Sequence, residues 1–208
     1  SIRFSSEEHY FKEGLAFSGS STKGLSVRYQ PPNCIFERSG KSIFQINEKS
    51  NIWYLLCLLN SKLSSYIINS LNPTVSFQSG DIDRIPYAVP NEDQINLLSK
   101  LAKRNISIKE RLNESCIKEF SFCHSAISSI NGRSHKENIK LQLNYENHLE
   151  TQIIINQAII DAKIFNIYEL SEYDKTMVLA KEGESIGCLP VSAKAREAYF
   201  TDEIEDFP

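Results

Sequence analysis

The sequence predicts an α+β protein: a β-rich segment over 1–90 with one amphipathic helix at about 51–71, then a helical region over 91–208 with an acidic tail. Three observations carry this reading. Short β-prone runs alternate with turn residues through the first 50 positions. Apolar residues then recur at helical spacing. Finally, a proline-bounded stretch, Ile85–Pro90, separates that helix from a second set of helical patterns.

The elements follow in order. Gly14–Ser18, Leu25–Tyr29 and Cys34–Phe36 read as strands, separated by Gly19–Gly24 and by Gln30-Pro31-Pro32-Asn33. Ile52, Leu55, Leu56, Leu59, Leu63, Tyr66 and Ile67 recur at three and four, which predicts a helix capped by Ser50 or Asn51 and stopped at Asn72-Pro73. Thr74–Gln78 alternates as a strand, and Ser79-Gly80-Asp81 reads as a turn. A proline at each end makes 85–90 extended. Asn91 and Gln94 form a capping-box-like start for a helix with Ile95, Leu98, Leu101 and Ala102 as its stripe. Residues 105–130 are weakly helical and Ile130–Ser134 reads as a loop. A long helix is expected from about 145 to 165, with Leu149, Ile153, Ile160 and Ile164 on its apolar side. A shorter one follows Ser171, with Asp174 completing its start and Gly183 its end.

The net charge of −3 over 208 residues conceals an asymmetry. Residues 1–140 carry 18 Lys/Arg against 13 Asp/Glu, whereas 141–208 carry five against 13. A mildly basic front accompanies polyanion-binding surfaces, and uneven surface solvation produces the same pattern. No apolar stretch approaches the ~18 residues of a membrane span, so a transmembrane helix is not expected. The first residues lack the apolar core of a signal peptide, which points to the cytoplasm. Five cysteines, an odd number with no CxxC spacing, suit a reducing compartment. Cys116, Cys123 and His124 lack a fourth ligand at short spacing, so no metal site is expected.

Catalytic patterns fail on particular residues. Ser39-Gly40-Lys41-Ser42 ends like a phosphate-binding loop, but position 35, where the first glycine belongs, is Ile35; a hairpin turn fits better. Asn72-Pro73-Thr74-Val75 lacks the second proline and the aromatic of the amino-methyltransferase tetrapeptide, whose aromatic stacks on a flipped base. It also follows a helix instead of a strand. His9, His124, His135 and His148 are scattered in polar surroundings and read as solvated. Asp81, Asp83, Glu92 and Asp93 are explained by a turn and a helix start. No constellation supports catalysis by this chain.

Two blocks carry a family pattern. The first runs from Leu55-Leu56-Cys57-Leu58-Leu59-Asn60-Ser61-Lys62 to Asn72–Ile82, and the second from Ile82–Pro90 into the helix with Asp93-Gln94. Together they resemble the target recognition domains of bacterial restriction–modification proteins, where Glu-Gln is usual in place of Asp93-Gln94. Tyr10–Ser18, Phe36–Phe44 and Lys163–Ser171 look like the specificity region of the large adenine-specific DNA methyltransferases of phage-exclusion (BREX, PglX-type) systems and of related single-chain restriction enzymes. The resemblance covers roughly residues 8–190. Between about 106 and 150 the acidic-aromatic segment of the PglX group is not evident.

This resemblance implies a C-terminal specificity module that recognises double-stranded DNA. Methyl transfer would fall to an upstream methyltransferase domain holding S-adenosylmethionine, and this chain would carry no cofactor and no catalytic residue. A nuclease and other defence-system subunits are further associates that such systems can supply, and no membrane is involved. Recognition needs contacts to phosphate and base edges. Lys23, Arg28, Arg38, Lys41 and Arg84 are the candidates for phosphate or guanine. Ser20, Ser21, Thr22, Asn33, Ser76 and Gln78 are the candidates for base edges or backbone. The alternative is a protein-interaction module whose helices from 91 onward dock another subunit.

Overall fold

The computed structural model describes residues 7–22, 24–36, 40–45, 50–125, 128, 130 and 132–185. It is an α+β chain with a small sheet and a helical C-terminal part. The three strands are β1 (Gly14–Ser18), β2 (Val27–Gln30) and β3 (Gly40–Ile43), all antiparallel in the order β2-β1-β3. The helices are α1 (Ile52–Leu59), α2 (Lys62–Leu71), α3 (Ser79–Ile82), α4 (Glu92–Glu114), α5 (His135–Ile167) and α6 (Glu172–Glu182). Two compact units divide the chain: Ser1–Ala102 with Ile160–Gly183, and Lys103–Ile159 with Glu184–Pro208.

In the first unit, Leu15 and Phe17 face Tyr29, Val27, Ile43 and Lys41 across the ladders, so one face of the sheet is apolar except at Lys41. Leu15 and Phe17 are fully buried there, as are Tyr54, Leu58 and Leu59 of α1, Ile68 of α2 and Phe77. Removing such side chains from water is the main source of stability in this unit. Helix α1 packs on β1 and β2, and α2 packs on α6.

The stretch read as one helix over 51–71 is two helices, broken at Asn60-Ser61. Asn60 binds the backbone of β2 through its side chain: Oδ1 accepts from Val27 N–H at 3.0 Å and Nδ2 donates to Val27 C=O at 2.9 Å. The amide thus imitates a neighbouring strand for one residue. It also donates to Leu56 C=O at 3.0 Å. Ser61 then caps α2, accepting from Ser64 N–H at 3.3 Å, while Asp161 of α5 accepts from Lys62 N–H at 3.0 Å. The Lys62 ammonium donates to the Glu182 carbonyl at the end of α6, where a helix C-terminus favours positive charge. Asn60, Ser61 and Lys62 in succession therefore hold β2, the start of α2 and the end of α6.

Other expectations shift for tertiary reasons. Cys34–Phe36 is not a strand; Ile35 is exposed, and the third strand is Gly40–Ile43, part of which the sequence suggested as a hairpin turn. Thr74–Gln78 pairs only at an isolated bridge, Ser20 with Ser76, and Ser79–Ile82 is a helical turn in place of the expected reversal. Helix α4 continues to Glu114, and α5 starts ten residues before the expected 145. His9 is stacked on Phe44, with ring centroids 4.9 Å apart. The local caps match their signals. Asn91 and Gln94 exchange hydrogen bonds at 2.9 and 2.8 Å, and Ser171 and Asp174 form a capping box ahead of Gly183 at φ 73°. Helix α5 ends with Glu169 at φ 50° and Leu170 N–H returning to Phe165 C=O, a Schellman-type closure.

The proline-bounded segment is tied down by two tyrosines. Tyr54 donates to Ala88 C=O at 2.9 Å, and the Tyr168 hydroxyl donates to Pro86 C=O while accepting from Ala88 N–H. In the second unit, α4 and α5 bury Ile108, Leu149, Ile155 and Ala158. Asn156 donates to Asn105 Oδ1 at 2.8 Å, and Lys109 pairs with Glu150 at 3.0 Å.

This architecture makes Asn60 and Cys57 testable. Asn60→Ala removes three hydrogen bonds, and at roughly 1 kcal/mol each the loss is about 2–3 kcal/mol. Urea denaturation should show it, and Asn60→Asp, which keeps the shape but loses the donors to Val27 and Leu56, should be at least as damaging. Burial, with a smaller contribution from Asp161, pushes the Cys57 thiol up to about 12. At pH 8 alkylation should therefore modify exposed Cys123 and spare Cys57 in the folded protein. Because the folded state holds the proton more tightly, the Cys57 contribution to stability is full below about pH 9 and declines toward pH 12.

Candidate functional site: a polar edge built from three segments

Beyond Ser18 the chain runs on past the end of β1 and meets a second segment. Phe77 N–H donates to Gly19 C=O at 2.9 Å and Ser21 N–H to Val75 C=O at 2.8 Å, on either side of the Ser20–Ser76 bridge. The Ser76 hydroxyl contacts Gly19 C=O at 3.5 Å. Phe77 is 1% exposed, so it anchors the second segment while its neighbours Ser76 and Gln78 stay at the surface.

Lys41 of β3 fastens this arrangement from the sheet. Its Nζ donates to Phe77 C=O at 2.6 Å and to Gln78 Oε1 at 2.7 Å, and lies 5.9 Å from the Phe17 ring centroid. Hydrogen bonds from an ammonium are stronger than neutral ones.

The 72–81 loop is ordered by two residues assigned no binding role in the sequence. Asn72 Oδ1 accepts from Thr74 N–H at 3.1 Å and from the Thr74 hydroxyl at 2.6 Å, an Asx-turn. Its Nδ2 donates to Ser76 C=O at 2.8 Å and to Asp81 Oδ2 at 2.9 Å. Asp81 also accepts from Gln78 N–H at 2.8 Å, closing the start of α3. The Gln78 N–H, then the Asn72 amide, hold its carboxyl below the usual carboxylate range against an opposing effect of burial, with lesser help from the charges of Arg84 and Lys41. The spacing of Gln78 and Asp81 is that of a capping box, and it is the sequence signal for this turn.

Of the expected binding residues, Ser20, Ser21, Lys41, Ser76 and Gln78 thus meet at one edge, with Thr22 beside them in sequence and exposed. Arg84 is exposed after α3 and acts electrostatically on Asp81. Arg28 does not join them. It pairs with Ala16, so alternation puts it on the opposite face of the sheet from Phe17 and Lys41. Asn33 is exposed on the turn after β2, where Oδ1 accepts from the Cys34 thiol at 3.7 Å. Lys23 and Arg38 lie outside the described residues. Among the described residues no group of three or more His, Cys, Asp or Glu could hold a metal ion, and no helix is long and apolar enough to cross a membrane.

No protein-family model matches the chain. It is 32% identical over 105 residues to the adenine-specific methyltransferase BrxX of Escherichia coli O9:H4 (strain HS), a stretch covering 50% of this chain and 8% of that protein. It is 32% identical over 85 residues to the adenine-specific methyltransferase PglX of Lacticaseibacillus casei (strain Zhang), covering 41% of this chain and 7% of that protein. The matches thus span less than a tenth of either relative's length. They support a relationship to methyltransferases of this type.

The loop geometry predicts that Asp81→Ala frees the Gln78 amide. Hydrogen exchange at Gln78 N–H should quicken by about tenfold, given the usual worth of a hydrogen bond to a charged group. Acidification should likewise lower the protection of this amide relative to the intrinsic exchange rate at each pH. A group whose folded pKa is lowered stabilises above its ordinary value, and that contribution disappears as pH falls through the folded one. Protection of Gln78 N–H unchanged by either treatment would contradict the assigned role of Asp81.

Proposed function

We propose that this chain is the DNA target-recognition module of an adenine-specific methyltransferase in a phage-defence system. The observation that carries the reading is the convergence of Ser20, Ser21, Lys41, Ser76 and Gln78, from three separate stretches of sequence, on one edge whose backbone is already hydrogen-bonded. A preorganised polar edge suits base-edge recognition, because ordering costs are met in folding and not on binding. The likeness to two adenine-specific methyltransferases gives the reading its context. In it, this chain positions duplex DNA, and a methyltransferase domain elsewhere in the parent protein binds S-adenosylmethionine and transfers the methyl group. The module acts in the cytoplasm and supplies no catalytic residue.

A second reading, docking of another defence subunit, is favoured by the exposed apolar side chains of Ile117, Phe120 and Phe122 after α4.

The two readings separate in one binding experiment. Arg84→Glu combined with Lys41→Glu should weaken duplex binding at least tenfold and lower the slope of log affinity against log salt by about 1 for each phosphate interaction removed. Ile117→Ser with Phe120→Ser should leave duplex binding intact. Unchanged duplex affinity in the charge-reversed protein would remove support for the DNA reading, and weakened partner binding in the serine variant would favour docking.

A further inference from the structure

The Lys41–Gln78 contact decides what the edge can read. A lysine ammonium has three donors and no acceptor, so the Gln78 amide must turn its oxygen toward it. Gln78 Nε2, with two N–H groups, is thereby left facing away. The second Lys41 donor is taken by Phe77 C=O, and the third has no hydrogen-bond partner among the described residues. Neither has Gln78 Nε2. The Gln78 main chain is fixed from both sides, its N–H on Asp81 Oδ2 and its C=O accepting from Asp81 N–H at 3.0 Å. The N–H groups this pair leaves unbonded, the third ammonium proton and the two of the amide, are therefore all donors, one of them carrying a charge, and the hydrogen bond between the two side chains orients them before any ligand arrives.

An unconstrained glutamine reads adenine by giving both halves of its amide, the oxygen to N6–H and the nitrogen to N7. Here the oxygen is turned toward an ammonium, which takes one of its lone pairs and whose positive charge disfavours the approach of a second donor such as N6–H. What remains matches an acceptor-only partner, and in the major groove that partner is guanine, through O6 and N7.

We infer that Lys41 and Gln78 act as one donor pair that specifies a guanine in the recognised duplex, with Lys41 setting the amide orientation. The inference rests on the DNA-recognition reading and adds to it the identity of one base and the residues that select it. Phosphate oxygens share the same acceptor chemistry, and the experiment separates the two sources.

The test is selection of bound duplexes from a randomised DNA library by the full 208-residue chain and by Gln78→Glu, Lys41→Met and Lys41→Arg. The unsubstituted chain should enrich a motif containing guanine. Gln78→Glu, which replaces donors with acceptors, should lower affinity for that duplex about tenfold and shift the same position toward cytosine, whose N4 amino group donates. Lys41→Met frees the amide, so the position should relax to guanine or adenine, and Lys41→Arg, which keeps a cationic donor, should preserve guanine. Gln78 is exposed, so the Gln78→Glu comparison stands even if Lys41→Met loses its native melting transition. A motif unchanged by Gln78→Glu overturns the inference while leaving DNA recognition standing. Uniform weakening across all sequences also overturns it, by identifying a phosphate contact. A chain that enriches no motif sinks the DNA reading itself.

Discussion

The first unit depends on the side chain of Asn60. A primary amide carries a donor and an acceptor on separate atoms and so can offer both backbone groups of one residue a complementary pair, and Asn60 does so for Val27. The same residue ends α1, so a helix terminus and a strand edge are satisfied at a single point. Ser61 and Asp161 then start α2, and the Lys62 ammonium closes α6. Sheet, both helices and the C-terminal part of the unit are thus placed relative to one another by three consecutive residues and one buried carboxylate. The apolar core of Leu15, Phe17, Tyr54, Leu58 and Leu59 supplies the bulk of the stability, but it is non-directional. The break at Asn60-Ser61 gives it a register.

The candidate site inherits its rigidity from that frame. Phe17 lies in the core and Lys41 lies opposite it on the neighbouring strand, so the ammonium emerges where β1 and β3 leave the core. From there it reaches Phe77 C=O and Gln78, and the polar loops need only short-range bonds from Asn72 and Asp81 to be ordered. A buried anchor, a clamped backbone and an exposed fringe of amide and hydroxyl groups follow in turn. Such an edge is suited to reading a surface whose information lies in donors and acceptors.

Much of this is legible in the sequence where the determinants are local. Asn91 with Gln94, Ser171 with Asp174, and the stop before Pro73 all work within four residues, and the structure has each of them. The break at Asn60 is hidden because the apolar spacing from Leu59 to Leu63 continues through it, and the Asn60 side chain that marks it is held by a residue 33 positions away. Strand β3, Gly-Lys-Ser-Ile, has little intrinsic β preference and exists because β1 offers it a free edge. Of the site, the polar residue types at 20–22, 41 and 76–78 stand out in the sequence, but not the fact that Arg28 faces the other way, since that depends on strand register. Asn72 and Asp81 read as punctuation. Their organising role needs the third dimension.

The most direct test of the central claim is where duplex DNA touches the chain. Backbone amide chemical shifts of the labelled protein, followed through a titration with a duplex it binds, should move at Gly19–Thr22, Lys41 and Thr74–Gln78. Changes confined to Ser115–Ser125, or none at the polar edge, would contradict it.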